Sequence, residues 1–250
     1  MRKVDGVEQS PKELIEQAEQ ALINQDWAEA LEDFSLALAL LGPVQEGQGQ
    51  PAALFAEAQN GKGVALLELF RYGESVKAFE AALTIEPNLP GTHYNLGLAW
   101  EGLGQLETAL HNYTKAIELE PHDGEAYFRR GGIYFALEQY EKTIEDATQS
   151  LELHHDDGAG AAIGPYLARG LALHRLERYD EALRDYGQAL TGDPREACDA
   201  YFYRALVFMD KGEAFPARAD LQAFLTLTPD PTGIQAEQAR EMIVELDKVI

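Results

Sequence analysis

The chain has 250 residues, 46% hydrophobic and 25% charged, with 20 Lys and Arg against 43 Asp and Glu for a formal net charge of −23. That balance repels phosphate backbones and anionic lipid, which excludes nucleic acid and membrane surfaces as first partners. A single cysteine, Cys198, excludes an intrachain disulfide and a thiolate metal cluster and points to a reducing compartment, the cytoplasm.

In chain order, residues 1–10 open with positive charge but no apolar run follows, so they are expected to be a flexible N-terminus, neither signal peptide nor anchor. No segment approaches the roughly 20 uninterrupted apolar residues of a membrane-spanning helix. "SPKE" (10–13) predicts a helix start with Ser10 as N-cap, Pro11 at the first helical position and Glu13 closing a capping box. Small residues then recur at Ala18, Gly63, Gly97, Gly131, Gly170 and Ala205, each followed 12 residues later by Ala30, Ser75, Ala109, Thr143, Ala182 and Ala217. Seven residues further lie Ala37, Ala82, Ala116, Ser150, Ala189 and Phe224, of which only Phe224 is large. Apolar residues recur between them at helical spacing, and Pro87, Pro121, Pro194 and Pro229 close four segments.

Each segment therefore predicts a helix, a short turn, a second helix and a breaker, over 11–44, 56–89, 90–123, 124–157, 163–196 and 198–231. Antiparallel helices approach closely where one presents Gly or Ala to a bulky neighbour. The bulky partners are Trp27, Tyr72, Leu106, Tyr140 and Tyr179 at the turns, and Phe34, Phe79, Tyr113 and Tyr186 in the second helices. Residues 45–55 enlarge the first junction, and their Gln/Gly-rich half reads as a flexible loop. "GAGAA" (158–162) enlarges another, after a fourth segment weakened by Thr143, Ala147 and His155, whose second helix is expected to be the least well packed. Residues 232–250 predict a last helix whose stripe Ala239, Met242, Ile243, Leu246 and Val249 caps the array.

This pattern resembles the tetratricopeptide repeat, a unit of about 34 residues with small residues at these places, an aromatic near the turn and a closing proline. The best matches are 90–123 and 163–196, and the six segments cover most of the chain. The resemblance implies an all-α, right-handed α-α superhelix with a C-terminal capping helix. It also implies a concave groove lined by the first helices, where the family commonly binds extended or helical peptides.

Three segments carry an arginine directly before the small residue, Arg130, Arg169 and Arg204, and each has an aspartate 16 residues later, Asp146, Asp185 and Asp220. The other segments pair Leu96 with Asn112, Lys62 with Ala78 and Gln17 with Asp33. The spacing predicts an ion pair across each hairpin rather than a row of arginines for an anionic ligand, because charges near a core are usually paired.

In the repeat frame the groove positions read Tyr94, Leu98 and Glu101; Phe128, Gly132 and Phe135; Leu167, Leu171 and His174; Phe202, Leu206 and Met209, with Asn95, Arg129 and Tyr203 as polar rungs. An apolar and aromatic ladder of this kind suits peptide recognition. One subtype of the family grips the C-terminal carboxylate of chaperones with lysines, asparagines and an arginine; Asn95 and Arg129 stand at two of those places. Asn60, Val64 and Glu125 occupy the others and Glu125 would repel the ligand, so that function is not carried over.

Catalytic patterns are thin. "HHDD" (154–157) reads as an acidic loop rather than a metal site, Cys198 has no matched histidine, and "GKGVA" (61–65) lacks a full phosphate loop and lies within a helix. The expected function is a non-enzymatic, cytoplasmic scaffold or adaptor, without cofactor, holding a partner peptide with basic residues around an apolar core. The rival expectation is a sensor of a small molecule or short signalling peptide in the same groove.

Overall fold

A computed structural model describes residues 3–4, 7–44, 49–156 and 162–250, with 3–4, 7–8 and 154–156 described by backbone alone. Residues 45–48, the "HHDD" side chains and the "GAGAA" insertion save Ala162 lie outside that description. A short ribbon, β1 (Lys3–Val4) antiparallel to β2 (Val7–Glu8), precedes the first helix. All other regular elements among the described residues are helices, arranged as antiparallel pairs in series. The chain divides into two compact units, Met1–Pro121 and His122–Ile250.

The N-terminal unit holds α1 (Pro11–Ile23), α2 (Trp27–Leu41), α3 (Gln50–Glu68), α4 (Tyr72–Ile85), α5 (Pro90–Gly102) and α6 (Leu106–Leu119). The capping box forms as its residues predict: the Ser10 N–H donates to Glu13 Oε2 at 2.8 Å and the Glu13 N–H to Ser10 Oγ at 3.3 Å. Those bonds from Ser10 hold the Glu13 carboxyl below its ordinary value. Helix α3 starts before the repeat frame does, so 50–55 of the enlarged junction are helical; Pro51 sits in the first turn and Ala52, Ala53 and Ala56 propagate it. Phe34, Phe79 and Tyr113 are fully buried. The glycines opposite them are required by closeness: a Cβ on Gly97 would lie 2.7 Å from the Tyr113 ring.

The C-terminal unit holds α7 (Gly124–Ala136), α8 (Tyr140–Asp156), α9 (Ile163–Arg175), α10 (Tyr179–Ala189), α11 (Cys198–Asp210), α12 (Ala214–Leu227) and α13 (Ile234–Leu246). All three expected ion pairs are two-pronged. Nε and Nη2 of each arginine donate to the two carboxylate oxygens at 2.8 and 2.7 Å for Arg130–Asp146, and at 2.7 and 2.8 Å for Arg169–Asp185 and Arg204–Asp220. The aspartates are buried. Bonding to Asp185 and Asp220 holds the Arg169 and Arg204 guanidinium groups above their ordinary pKa, whereas burial pushes the Asp146 carboxyl up against the pull of Arg130. A tyrosine three residues before each arginine, Tyr127, Tyr166 or Tyr201, lies 5.5–5.7 Å beneath the guanidinium carbon. That tyrosine is one helical turn away and completes a motif that pairing by spacing alone does not reveal.

Helix α8 is not the loose element expected of it. Thr143, Asp146, Ala147, Ser150 and Leu151 are all buried. With no aromatic at 147, a Cβ on Gly131 would meet the Asp146 Cβ at 3.3 Å and the Thr143 carbonyl at 3.7 Å, rather than a ring. The Thr143 hydroxyl donates to the Gly131 carbonyl at 3.2 Å, as Ser75 does to Gly63 at 2.8 Å. Helix α13 covers the last hairpin with Ala236, Ala239 and Leu246, flanked by Met242 and Ile243. Val249 does not join that stripe; the helix ends at Leu246, the chain turns, and Val249 is exposed.

Each of the six hairpin turns places one residue in the left-handed region: Gln25, Phe70, Gly104, Glu138, Glu177 and Gly212, with φ from 58° to 75°.

Candidate functional site

In the N-terminal unit the first helices α3 and α5 border a cleft of about 470 Å³. Its polar lining is Glu57 and Asn60 from α3, Glu86 from the end of α4, and Thr92 and Asn95 from α5; Ala53, Ala56, Leu89 and Pro90 supply the apolar walls. The extra N-terminal turns of α3 provide Ala53. The Thr92 hydroxyl donates to Asn60 Oδ1 at 2.9 Å and ties the two walls together. Burial, reinforced by Glu19 and then by Glu16 and Glu86, pushes the Glu57 carboxyl above its ordinary value. Four carboxylates therefore crowd one region, and a positively charged group entering the cleft relieves that repulsion.

Of the predicted rungs in this unit, Asn95 lines the cleft. Tyr94 rests 5.8 Å from the Tyr113 ring, whose hydroxyl donates to Glu101 at 2.6 Å. Leu98 is half-buried. Asn60 stands at a place the repeat frame marks for a ligand-gripping residue, whereas Glu57 and Thr92 were not singled out, because the register of α3 against α5 decides which further side chains face the cleft.

The predicted rungs of the C-terminal unit divide differently. Phe128 lies over the next hairpin, where a Cβ on Gly164 would meet its ring at 2.8 Å. Phe135 packs edge-on against Tyr140 at 5.5 Å. Arg129 Nε donates to Glu125 Oε1 at 2.9 Å, so the acid expected to repel an anionic ligand is neutralised by its own helix. His174 Nε2 bonds Asp210 Oδ2 at 2.7 Å, joining α9 to α11. Phe202 is not on a groove surface: it is 4% exposed and packs 5.2 Å from Phe224, because α13 and α12 close over this end of α11. Tyr203 stacks on Tyr186 at 6.3 Å, and Leu167, Leu171, Leu206 and Met209 are half-buried. The Tyr186 hydroxyl is buried without a hydrogen-bond partner, and burial raises its pKa far above that of an ordinary phenol.

Cys198 is buried, and burial pushes its thiol up, away from the reactive thiolate. Among the described residues no group of three or more His, Cys, Asp and Glu is placed to hold a metal ion, and no helix is long and apolar enough to cross a membrane.

Family models described as tetratricopeptide repeat match residues 56–89, 90–123, 124–154 and 167–231. No curated protein matches the sequence. Among solved structures, the chain is similar to Pseudomonas aeruginosa PilF with a TM-score of 0.72 at 14% identity, covering 92% of this chain and 96% of that one. It is similar to YrrB, described as a tetratricopeptide protein with an unusual peptide-binding site, with a TM-score of 0.63 at 17% identity over 74% of this chain and 92% of that one. It is also similar to a chain of the Cut9–Hcn1 hetero-tetramer of APC/C, with a TM-score of 0.70 at 18% identity; 95% of this chain is covered, and it spans 42% of that chain's length. At these identities the likeness is one of fold.

Proposed function

The chain belongs to the tetratricopeptide-repeat family, and on that footing we propose that it is a non-enzymatic scaffold holding a peptide or helix of a partner protein. The observation that carries this reading is the α3/α5 cleft, where Asn60 and Asn95 supply amides for a peptide backbone and Glu57 and Glu86 supply negative charge. The partner segment carries basic residues around an apolar core: its cations answer the crowded carboxylates, and its apolar side chains meet Ala53, Ala56 and Leu89. Leu171, Tyr203, Leu206 and Met209 of the C-terminal unit form a further half-buried surface for the same class of ligand. The lone cysteine keeps the cytoplasm as the expected setting.

Affinity purification with mass spectrometry identifies the partner, and Asn95→Ala and Glu57→Lys then test the cleft. Each change is expected to weaken binding about tenfold, the loss of roughly 1.4 kcal/mol, with melting unchanged or, for Glu57→Lys, raised. Raising salt is expected to slow association more than it speeds dissociation, since only the steering is screened. Full binding by the Asn95→Ala, Glu57→Lys double variant removes the cleft from the function. A copurified small molecule without a protein partner replaces the scaffold by a sensor.

A further inference from the structure

The turn of the second hairpin exposes an aromatic side chain under conditions that ordinarily select against one. Phe70 is 76% exposed and sits at φ 58°, a left-handed conformation that disfavours bulky residues. The same turn position is glycine at 104 and 212 and a polar residue at 25, 138 and 177, so Phe70 is the one apolar side chain among the six. Phe70 stands edge-on to Tyr72 at 6.2 Å, the Tyr72 ring lies against Gly102, and the residue after that glycine, Leu103, is 41% exposed. Among the described residues the aromatic contact of Phe70 is the edge of the Tyr72 ring.

Three basic residues stand near this strip, in a chain that is acidic as a whole. Arg71 grips Glu74 with two bonds of 2.8 Å, and the Lys62 and Lys77 ammonium groups lie close enough to add to the pull on that carboxylate. Three cations thus surround one acid on a protein of net charge −23. Lys62 stands where the C-terminal hairpins carry a fork arginine, but Ala78 replaces the fork aspartate, and the acid its charge reaches across the hairpin is Glu74.

We propose that this edge of the second hairpin is a docking surface for an acidic segment of a partner protein that carries an aromatic or aliphatic anchor. The anchor packs on Phe70, Tyr72 and Leu103, while its flanking carboxylates meet Arg71, Lys62 and Lys77. The surface is separate from the α3/α5 cleft and takes ligands of opposite charge, so one chain holds two kinds of segment.

The test selects a displayed library of random 16-residue peptides on the intact protein, then counter-selects on Phe70→Gly. Glycine relieves the left-handed strain, so this variant is expected to melt at the same temperature or higher, a result that a structural role for the ring would reverse. Peptides lost in the counter-selection are expected to be rich in Asp and Glu around a Trp, Phe or Leu. By fluorescence anisotropy they are expected to bind Phe70→Gly at least about tenfold more weakly, and Lys62→Glu, Lys77→Glu with slower association. The proposal is overturned if no peptide depends on Phe70, if the dependent peptides are basic, or if Phe70→Gly lowers the melting temperature. A dimer in sedimentation that Phe70→Gly dissociates would overturn it in favour of a second copy as the occupant.

Discussion

The two units are built on one repeat frame but use their polar residues in different ways. The C-terminal unit turns them inward, with three arginine–aspartate forks across its hairpins and further polar ties between hairpins. The N-terminal unit has no fork among its described residues; Leu96, Lys62 and Gln17 occupy the arginine places. Its acids instead gather beside a cleft, where they repel one another. The frame therefore fixes where helices touch but not how the residues next to the touching points are used: the C-terminal unit pairs its charges across hairpins, whereas the N-terminal unit keeps neutral polar ties such as Thr92 to Asn60 and leaves like charges crowded beside Glu57.

The largest test of this contrast is to break a fork. Arg169→Met strands the buried Asp185 carboxylate and severs the 3.0 Å bond from Arg169 Nη1 to Thr148, and is expected to cost about 3–5 kcal/mol in chemical denaturation. Replacing both Arg169 and Asp185 by apolar residues is expected to cost less than the single change. Equal losses would remove pairing as the reason for the motif.

Glycine substitutions sharpen the comparison within one unit. In Gly170→Ala the new Cβ would lie 2.7 Å from the buried Tyr186 ring, and the overpacking is expected to cost about 1–3 kcal/mol. Gly131→Ala, whose Cβ meets the Asp146 Cβ at 3.3 Å and the Thr143 carbonyl at 3.7 Å rather than a ring under 3 Å away, is expected to cost less. Gly132→Ala points into open space on α7 and is expected to stabilise by about 0.5–1 kcal/mol. Thermal melts of the three variants in that order check the ring-against-glycine account; a Gly170→Ala melt like that of the wild type would refute it.

The smallest expected effect is electrostatic and belongs to the N-terminal unit. Glu57 has a raised pKa in the folded chain, so the folded state holds its proton more tightly than the unfolded state between the ordinary carboxylate value and the raised one. Stability is therefore lost as pH rises through that window, and the repulsion from Glu19, Glu16 and Glu86 is fully present above it. Glu57→Gln is expected to melt slightly higher than the wild type at pH 7 and at the same temperature near pH 4. A constant difference across that range would show that the change acts through packing instead.

The capping box, the glycine positions and the forks were legible because each depends on residues within one hairpin at fixed spacing: Ser10 with Glu13, Gly97 with Tyr113, Arg204 with Asp220. What escaped depends on the neighbouring hairpin. Phe128 reads as a groove residue until Gly164 opens a place for its ring, and His174 until Asp210 arrives from α11. Phe202 is covered by α12 and α13, whose closure no repeat position encodes. The burial of α8 escaped for the opposite reason, since the missing ring at Ala147 leaves Gly131 facing the Asp146 Cβ and the Thr143 carbonyl, with Thr143, Ala147 and Ser150 buried. Among candidate site residues, only Asn95 was placed in the cleft by spacing alone.

The polar ties of the C-terminal unit also bear on how the chain responds to mechanical load. Arg169 reaches back to Thr148, His174 forward to Asp210, Lys211 back to Asp180, and Arg218 to Asp247 beyond α13, so successive hairpins and the cap are each linked to the next. An apolar seam between hairpins peels gradually, whereas a short ionic contact holds until it ruptures. A tether pulling on residue 250 is therefore expected to release the C-terminal hairpins in abrupt, grouped steps, the contact between Arg218 and Asp247 bearing load before the apolar packing of α13.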